Sequence, residues 1–357
     1  MSLINQEKWK VVGLMSGTSL DGLDIAFCEF EKINKHWNYK IIEAETIIYT
    51  NELKSKLSLC SNFNAQEFWK FTVEFGRLMG GWTKSFLLKH NLNADLVASH
   101  GHTIFHQPAD RFTCQIGHGA EIAIRSGIKT VCDFRSLDIA LGGQGAPLVP
   151  IGDKILFHDY EACLNLGGIA NITINNNESL IAFDICAVNQ VLNHISKWKN
   201  LEFDKDGILG KQGKFIQSLF DKLNDISYFK MKGPKSLGRE WVEKEIFPLL
   251  NFDDHATEDI AHTFYKHIQF QIETIFQQYT INSCLVSGGG AHNQFLIELL
   301  RQNSKTRIHL PKEKIIDFKE ALIFAFLGLL RTREEINTQN SVTGASKNSC
   351  GGCIYLS

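Results

Sequence analysis

Residues 10–27 read KVVGLMSGTSLDGLDIAF, an apolar run that enters a turn of small and polar residues and then alternates between apolar and polar positions. Apolar side chains return at Leu23, Ile25 and Phe27. This period of two predicts a strand, a tight turn and a second strand. Small residues in the turn let backbone N–H groups approach an anion, although a plain hairpin turn explains the same spacing equally well.

The second half of the chain repeats this pattern. Residues 164–174 read LNLGGIANITI, and Gly168 follows Gly17 by 168 − 17 = 151 residues. Further segments have strand or helix periodicity, with strands predicted at residues 40–50, 95–99 and 129–134, helices at 65–90 and 319–334, and the longest helix at 255–279. The helix at 319–334 is expected to have one apolar face. Strands that alternate with helices predict an α/β protein of two related lobes, with ligands at the carboxyl ends of the strands.

A segment rich in glycine and proline, residues 136–152, is the predicted domain boundary. We expect an N-terminal α/β lobe over residues 1–140, completed by the C-terminal helix, and a C-terminal α/β lobe over residues 141–357. The first lobe would carry the first glycine turn, and the second lobe the other glycine turns. The cleft between the lobes is the expected site.

Composition excludes several classes of protein. The 357 residues include 37 Lys and Arg and 39 Asp and Glu, a net charge of −2, which argues against a general nucleic-acid binder or a polybasic membrane-surface protein. No apolar run is long enough for a membrane span, and we recognise no secretory signal. The nine cysteines lie mostly in apolar stretches, as expected of reduced thiols in the cytoplasm. The lone CxxC at residues 350–353 lacks a second ligand pair, which favours two plain thiols over a metal or redox site.

Three further motifs could carry chemistry. The sequence SGGGAHN at residues 287–293 follows an apolar strand, and consecutive glycines allow a ring or phosphate to lie on the backbone. In FDICAVN, residues 183–189, Asp184 ends an apolar strand, where a carboxylate suits a general base. From the residues alone a helix N-cap is the more frequent role. The polar stretch 99–138 suits a hydroxylated, acidic substrate, and its histidines lack the pattern of a zinc site.

Together these segments resemble one family, the anhydro-N-acetylmuramic acid kinases of bacterial cell-wall recycling. The matching stretches run in the family's order from residue 13 to residue 346: GLMSGTSLDGLDIA, ASHGHTIFHQP, IGHGAEIA, DFRSLDIALGGQGAPLVP, NLGGIANIT, FDICAVN, KSLGREW, SGGGAHN and NSVTGAS. The resemblance implies the two-lobed actin/hexokinase/Hsp70-like fold, which is ribonuclease H-like, with a central cleft between the lobes.

The resemblance also implies an activity. Enzymes of this family use ATP and Mg²⁺ to open the 1,6-anhydro ring of 1,6-anhydro-N-acetylmuramic acid with water and to phosphorylate O6, which gives N-acetylmuramic acid 6-phosphate. The expected partner is thus a small amino sugar, with no nucleic acid and no membrane. A cytoplasmic location and a homodimer are further expectations. Two alternatives stay open: a catalytically weak nucleotide-binding regulator or scaffold on the same fold, and a kinase for another amino sugar.

The family's functional residues carry over onto matching positions of this chain. Asp184 matches the aspartate that activates the water. Asp21 would repel a phosphate in direct contact, but an aspartate in this turn can hold Mg²⁺ through water. The expected ATP-binding residues are Gly17, Thr18, Ser19, Leu20, Asp21, Gly22, Leu23 and Asp24 in the first turn, Asn165, Gly167, Gly168 and Asn171 in the second, and Gly288, Gly289, Gly290 and Ala291 in the third. The expected sugar contacts are His102, Thr103, Glu121, Arg135 and Asn189.

Two departures from the family pattern concern these segments. The family usually reads FDTGPxN, whereas this chain has Ile185, Cys186 and Ala187 at the Thr, Gly and Pro positions. Leu137 stands where an arginine is common, which removes one cation near the expected sugar carboxylate while Arg135 remains. Because Asp184 is retained, we expect activity, with an altered rate or sugar tolerance.

Overall fold

The computed structural model describes residues 7–175, 179–250 and 255–357. The chain forms two compact units, of which unit 1 comprises Met1–Leu156 and Phe318–Ser357 and unit 2 comprises Phe157–Asp317. Residues 141–156 and 318–357, which the sequence placed in the second lobe apart from the C-terminal helix, therefore belong to unit 1. The expected cleft between the lobes stays a prediction.

The strands follow the predicted pattern in both units. Unit 1 begins with β1 (Lys8–Ser16), β2 (Gly22–Ile33), β3 (His36–Ile48), β4 (Leu96–Gln107), β5 (Phe112–Ile116) and β6 (Thr130–Cys132). Unit 2 contains β7 (Ala162–Leu166), β8 (Ile169–Asn175), β9 (Leu180–Ala187), β10 (Ser283–Ser287) and β11 (Arg307–His309), and β12 (Cys353–Tyr355) returns to unit 1. The predicted strand, turn and strand at residues 10–27 is confirmed as β1 and β2.

The two sheets share one topology. In unit 1 the order is β12-β6-β4-β1-β2-β3, with β5 paired to β4, and in unit 2 it is β11-β10-β7-β8-β9. Each sheet has a three-stranded antiparallel meander. The first strand of the meander pairs in parallel with one later strand, which in turn pairs in parallel with another. This repeated order confirms the expected α/β class and the two related halves of a ribonuclease H-like, actin/hexokinase/Hsp70-like fold.

Helices connect these strands. Those of unit 1 before residue 157 are α1 (Asn51–Leu59), α2 (Ala65–Lys89), α3 (Gly119–Ser126), α4 (Ser136–Ala140) and α5 (Val149–Leu156). Those of unit 2 are α6 (Asn189–Lys197), α7 (Ile208–Gln212), α8 (Gln217–Asp225), α9 (Ser227–Lys230), α10 (Arg239–Glu245), α11 (Thr257–Gln278) and α12 (Gln294–Asn303). They are followed by α13 (Glu313–Thr332) and α14 (Asn340–Thr343).

The expectation that the longest helix lies at residues 255–279 is wrong. Helix α2 has 25 residues and α11 has 22. A capping box explains why α2 begins where it does, because Asn64 accepts from the backbone N–H of Glu67 while the Glu67 carboxylate accepts from that of Asn64. Its buried residues, among them Phe71, Phe75 and Met79, pack into the core of unit 1.

Helix α13 differs from the expected amphipathic helix. Its residues from Ala321 to Leu330 are buried on every face rather than on one, which is the pattern of a helix inside the core. Its backbone kinks at Phe318, where φ is −117°, and unit 1 resumes at this residue. Within the described ranges no helix is long and apolar enough to cross a membrane.

Candidate functional site

The first glycine turn joins β1 to β2 and is closed by a hydrogen bond from Leu20 N to the Gly17 carbonyl at 3.3 Å. Thr18, Ser19 and Asp21 are exposed, so two hydroxyls and one carboxylate face solvent at the end of a strand. The turn therefore offers oxygen ligands and hydroxyl donors.

The residues that follow in this segment have structural roles. Gly22 already pairs with Ile48 across β2 and β3, and a Cβ there would lie 2.5 Å from the Ile47 carbonyl oxygen. Leu23 is buried in the core, and the Asp24 carboxylate accepts from the Thr46 hydroxyl at 2.6 Å. Of the eight residues expected to contact ATP here, these three therefore have clear partners within the sheet.

A buried hydrogen-bonded chain lies at the end of β1. The Ser16 hydroxyl lies 2.8 Å from His102 Nδ1 and 2.6 Å from the Tyr49 hydroxyl. Burial lowers the pKa of His102 to about 4, so the imidazole is neutral near pH 7. A neutral ring held by Ser16 can donate or accept a hydrogen bond at its other nitrogen, which suits a sugar hydroxyl.

Arg135 lies just before α4 and is held by two elements of unit 1. Its Nη1 donates to the Gly145 carbonyl at 2.6 Å, and its Nε donates to His100 Nε2 at 3.1 Å. Because His100 Nε2 accepts, its proton lies on Nδ1, which donates to the Gly101 carbonyl at 3.0 Å. Burial lowers the pKa of Arg135 to about 10, which leaves it a cation at neutral pH. A fixed guanidinium with unused N–H groups suits a carboxylate.

Glu320 is a charged group near Arg135 that the sequence patterns did not single out. Its side chain reaches solvent, yet the surrounding protein raises its pKa, the nearby Asp24 adds to that rise, and Arg135 opposes it. The sequence around Glu320 does not indicate that it lies near Arg135 and Asp24, because these residues come close to it only in the fold.

Glu121 and Thr103, the other two expected sugar contacts of unit 1, form hydrogen bonds with neighbouring side chains. Glu121 forms two hydrogen bonds with Arg77, at 3.0 and 3.1 Å, and this pairing lowers the pKa of its carboxyl. The Thr103 hydroxyl accepts from Gln115 Nε2 at 3.3 Å. A sugar that bound Glu121 would compete with Arg77 or share the carboxylate with it.

In unit 2 the expected site residues form a row across neighbouring strands. Ser287 pairs with Asn165, Asn165 with Asn171, and Asn171 with Asp184. These residues lie at or near the ends of β10, β7 and β9 and at the matching position on β8. The fold thus brings the second and third glycine turns and the candidate base to one edge of a single sheet.

Asp184 is held by a segment that the sequence patterns left without a role, KSLGREW at residues 235–241. Its Oδ2 accepts from the Leu237 backbone N–H at 2.8 Å, and its own N–H donates to the Lys235 carbonyl at 3.0 Å. The Tyr228 hydroxyl donates to the Asp184 carbonyl at 2.7 Å. Burial raises the pKa of Asp184, and the Leu237 N–H partly offsets that rise. A half-buried carboxylate with one oxygen fixed and a raised pKa fits a general base better than a helix N-cap.

The three glycines of the third turn differ in how much space surrounds them. Gly288 has a positive φ of 83°, and a Cβ there would lie 2.4 Å from Asn165 Oδ1. At Gly290 a Cβ would lie 2.8 Å from that of Leu166. Gly289 has no positive φ, and a Cβ there would meet only Asn189 Nδ2, at 3.8 Å. Gly288 and Gly290 are therefore required by the packing of the loop, whereas Gly289 leaves open space above the backbone. Ala291 is buried.

The second glycine turn is bound to the start of α6. The backbone N–H groups of Val188 and Gln190 donate to the Gly168 carbonyl, at 2.8 and 3.2 Å. The N–H of Asn189 donates to the Gly167 carbonyl at 3.2 Å, and its side chain donates to Leu166 at 3.2 Å. Asn189 therefore holds the turn through its backbone and one side-chain N–H, and its contact with a sugar stays a prediction.

The three residues that depart from the family pattern lie in the core. Ile185, Cys186 and Ala187 are 1%, 0% and 2% exposed. Burial also raises the pKa of the Cys186 thiol, which keeps it protonated. All three side chains belong to the apolar core of unit 2. Leu137 is 43% exposed on α4 and leaves no cation at that position.

Comparisons with known proteins cover both units. A family model described as anhydro-N-acetylmuramic acid kinase matches residues 9–357. The anhydro-N-acetylmuramic acid kinase of Caldanaerobacter subterraneus subsp. tengcongensis is 32% identical over 100% of this chain and 99% of that protein. The protein of the same name from Bacillus thuringiensis subsp. konkukian is 32% identical over 96% of this chain and 98% of that protein. Among solved structures, (R)-2-hydroxyglutaryl-CoA dehydratase component A of Acidaminococcus fermentans aligns with a TM-score of 0.49 at 11% identity, over 91% of this chain and 99% of that one.

Proposed function

The chain belongs to the anhydro-N-acetylmuramic acid kinase family, and on that premise we propose that it opens the 1,6-anhydro ring of 1,6-anhydro-N-acetylmuramic acid and phosphorylates O6 with ATP. One water and one ATP are consumed, and N-acetylmuramic acid 6-phosphate and ADP are formed. The observation that carries this proposal is the row in unit 2 that sets Asp184 beside two glycine turns.

Asp184 is the proposed general base. Its carboxylate takes a proton from the water that attacks C1 of the sugar, the bond from C1 to O6 breaks, and O6 attacks the γ-phosphorus of ATP. The Leu237 N–H holds Oδ2, which leaves Oδ1 to face the water. Burial raises the pKa of Asp184, which makes its ionised carboxylate a stronger base than an ordinary aspartate.

The glycine turns are the proposed nucleotide contacts. Backbone N–H groups next to small residues bind phosphate oxygens without side-chain obstruction. Gly289 and Gly168 leave such space, since a Cβ at either would meet a single atom no closer than 3.8 Å. Asn165 and Asn171 add amide groups in the adjacent strand positions. In unit 1, Thr18 and Ser19 supply exposed hydroxyls.

Mg²⁺ fits the first turn of unit 1. Mg²⁺ in nucleotide sites is bound by one or two carboxylates together with phosphate oxygens and water. Asp21 presents one exposed carboxylate next to the Thr18 and Ser19 hydroxyls, a donor set of oxygen atoms only. Among the residues that the structure describes, no group of three or more His, Cys, Asp or Glu side chains is arranged to hold a metal ion. When bound, Mg²⁺ would neutralise charge on the transferred phosphoryl group.

Arg135 and His102 are the proposed sugar contacts of unit 1. The guanidinium of Arg135, fixed by Gly145 and His100, would bind the lactyl carboxylate. His102, neutral and held by Ser16, would bind a hydroxyl. Glu320 near Arg135 is a charged carboxyl of unit 1 and is proposed to orient a sugar hydroxyl.

Replacing Gly289 with valine should weaken ATP binding while sugar binding changes little. The branched side chain would occupy the space left open above the loop, and the site has no positive φ to strain. Calorimetric titration with a non-hydrolysable ATP analogue and, separately, with the sugar measures both affinities. The Gly288→Val variant is the contrast, because the same side chain there meets Asn165 at a positive φ and should also lower the melting temperature. An equal loss of both affinities in a folded Gly289→Val protein would contradict the assignment.

Isotope labelling tests whether water opens the anhydro ring. The reaction is run with ATP and 1,6-anhydro-N-acetylmuramic acid in ¹⁸O-labelled water, and the product is fragmented in a mass spectrometer. A label at C1 together with a 6-phosphate supports the coupled reaction. ATP consumption without label at C1 would support a kinase for another sugar, and no sugar-dependent ATP consumption would support a regulator or scaffold.

We further propose that the protein works in the cytoplasm and forms a homodimer. The nine cysteines are all free thiols, as the reducing cytoplasm favours. An apolar groove of about 350 Å³ opens beside α8 and α11 and includes Phe215 and Phe270, which are 44% and 47% exposed. Lys266 and Glu273 flank Phe270 on α11, so a second copy packed antiparallel would place Lys266 opposite the partner's glutamate. Sedimentation equilibrium tests the dimer.

A further inference from the structure

The CxxC segment near the C-terminus has a third thiol beside it. Cys353 on β12 pairs directly with Cys132 on β6 in an antiparallel register. Directly opposed residues in such a ladder have Cα atoms about 4.5 or 5.5 Å apart. Disulfides join Cα atoms about 4.4–6.8 Å apart, so either type of pair is within reach of a disulfide.

Both thiols lie on one face of the sheet. Opposed residues of an antiparallel pair share a face, and Tyr355, two residues after Cys353, shares it as well. A Cβ on Gly119, the first residue of α3, would lie 2.5 Å from Cys132 Sγ and 2.7 Å from the Tyr355 ring. That face is therefore the one covered by α3. Cys353 Sγ lies 3.9 Å from Asp133 Oδ2, next to Cys132 in the chain.

We propose that Cys132 and Cys353 form a reversible disulfide when the protein meets a peroxide. Cys353 is exposed and reacts first, since Cys132 is half-buried. Its sulfur attacks the peroxide and becomes a sulfenic acid, which releases one water from hydrogen peroxide. Cys132 then attacks that sulfur, a second water leaves, and the S–S bond forms. Two thiols are oxidised by two electrons in total, and one peroxide is reduced.

The alternative link within CxxC is opposed by the backbone between its two cysteines. Gly351 N donates to Asn337 Oδ1 at 2.8 Å, and Asn337 Nδ2 donates to the Gly351 carbonyl at 2.8 Å. The Gly352 carbonyl accepts from Arg331 Nε at 2.8 Å. These three hydrogen bonds hold the two residues between Cys350 and Cys353, whereas the bond to Cys132 uses a strand register that already exists.

The surroundings make this reaction slow at neutral pH. Burial raises the pKa of Cys132 to about 12, and burial and Asp133 raise that of Cys353. Only the thiolate attacks a peroxide, so little of either sulfur is reactive near neutrality. The rate of linkage should therefore rise in alkaline buffer. The disulfide between Cys132 and Cys353 would therefore form under sustained oxidation and stay reduced under the ordinary conditions of the cell.

The test maps the linkage by mass spectrometry. The full chain is treated with hydrogen peroxide, blocked with an alkylating reagent, digested without reductant and compared before and after dithiothreitol. We expect a peptide pair joined at Cys132 and Cys353, a mass loss of two hydrogens and full reversal by dithiothreitol. Cys350→Ser should keep the link, while Cys353→Ser should lose it.

Two results would overturn the proposal. One is a link between Cys350 and Cys353 in the wild-type chain, and the other is sulfinic acid at Cys353 with Cys132 still alkylated. Because Cys353→Ser and Cys350→Ser change side chains that are not in the core, these variants keep the comparison valid even where Cys132→Ala proves unstable.

Discussion

Replacing Asp184 with asparagine should lower kcat by about 10²- to 10⁴-fold, the usual contribution of a general base, while ATP affinity stays nearly unchanged. Asparagine has the shape of aspartate but cannot take a proton from water at neutral pH. Its carbonyl oxygen can still accept from the Leu237 N–H, so the local hydrogen bonds of the wild-type protein are kept. The loss should therefore appear in kcat rather than in folding.

Steady-state kinetics and calorimetric titration with a non-hydrolysable ATP analogue measure the two quantities. The Asp225→Asn variant is a matched control, because Asp225 lies in the same unit and pairs only at the surface with Lys230. It should keep wild-type kcat. Wild-type-like turnover in Asp184→Asn would remove Asp184 from the mechanism.

The raised pKa of Asp184 adds a pH signature. A base must be ionised, so kcat should fall as the pH drops through the pKa of Asp184. Because burial raises that pKa, the fall should occur at a higher pH than an ordinary aspartate would produce. The acidic limb of the profile should be absent from the residual activity of Asp184→Asn.

Local sequence patterns were sufficient for most of the fold. Residues adjacent in the chain form the turn between β1 and β2 and the turn between β7 and β8. The strands on either side of each turn have a clear period of two. The order of strands then follows from two similar halves. Helix α13 was less predictable, because a helix buried on all faces has no polar side to define its orientation.

The candidate site was less predictable, because its partners are distant in sequence. Asp184 was identified through a motif, but the N–H that holds it belongs to Leu237. Arg135 is predicted as a sugar contact from its motif. Its neighbour Glu320 is not predicted, because it lies on a helix near the end of the chain. Such contacts depend on tertiary structure alone, and nothing in the spacing of these residues indicates them. The extent of unit 1 was missed for the same reason, since α5 and α13 meet only in the fold.

Replacing Lys319 with methionine should lower the free energy of unfolding by about 3–5 kcal/mol, the usual cost of leaving one partner of a buried ion pair alone. Lys319 Nζ on α13 lies 2.7 Å from Asp153 Oδ1 on α5, and the two side chains are 6% and 3% exposed. Methionine fills similar volume but leaves the Asp153 carboxylate without its cation. At about 2–4 °C per kcal/mol for a unit of this size, the melting temperature should fall clearly.

A double variant separates the pair from the packing around it. Adding Asp153→Leu to Lys319→Met removes both charges, and a buried pair replaced by apolar residues is often neutral for stability. Most of the loss should therefore be recovered. The Lys8→Met variant is the surface control, because the pair of Lys8 with Glu31 has side chains 75% and 34% exposed and should contribute less than about 1 kcal/mol.

The outcome bears on how the two sections of unit 1 are held together. Helix α5 ends the first section of unit 1, at Leu156, and α13 opens the second, which resumes at Phe318. Because Glu320 follows Lys319 on α13, the ion pair also fixes the start of the segment that carries Glu320 near Arg135. If Lys319→Met were no less stable than Lys8→Met, the pair would not be a main contact between these sections, and apolar packing such as that of Gly152 against Ile323 would have to hold them instead.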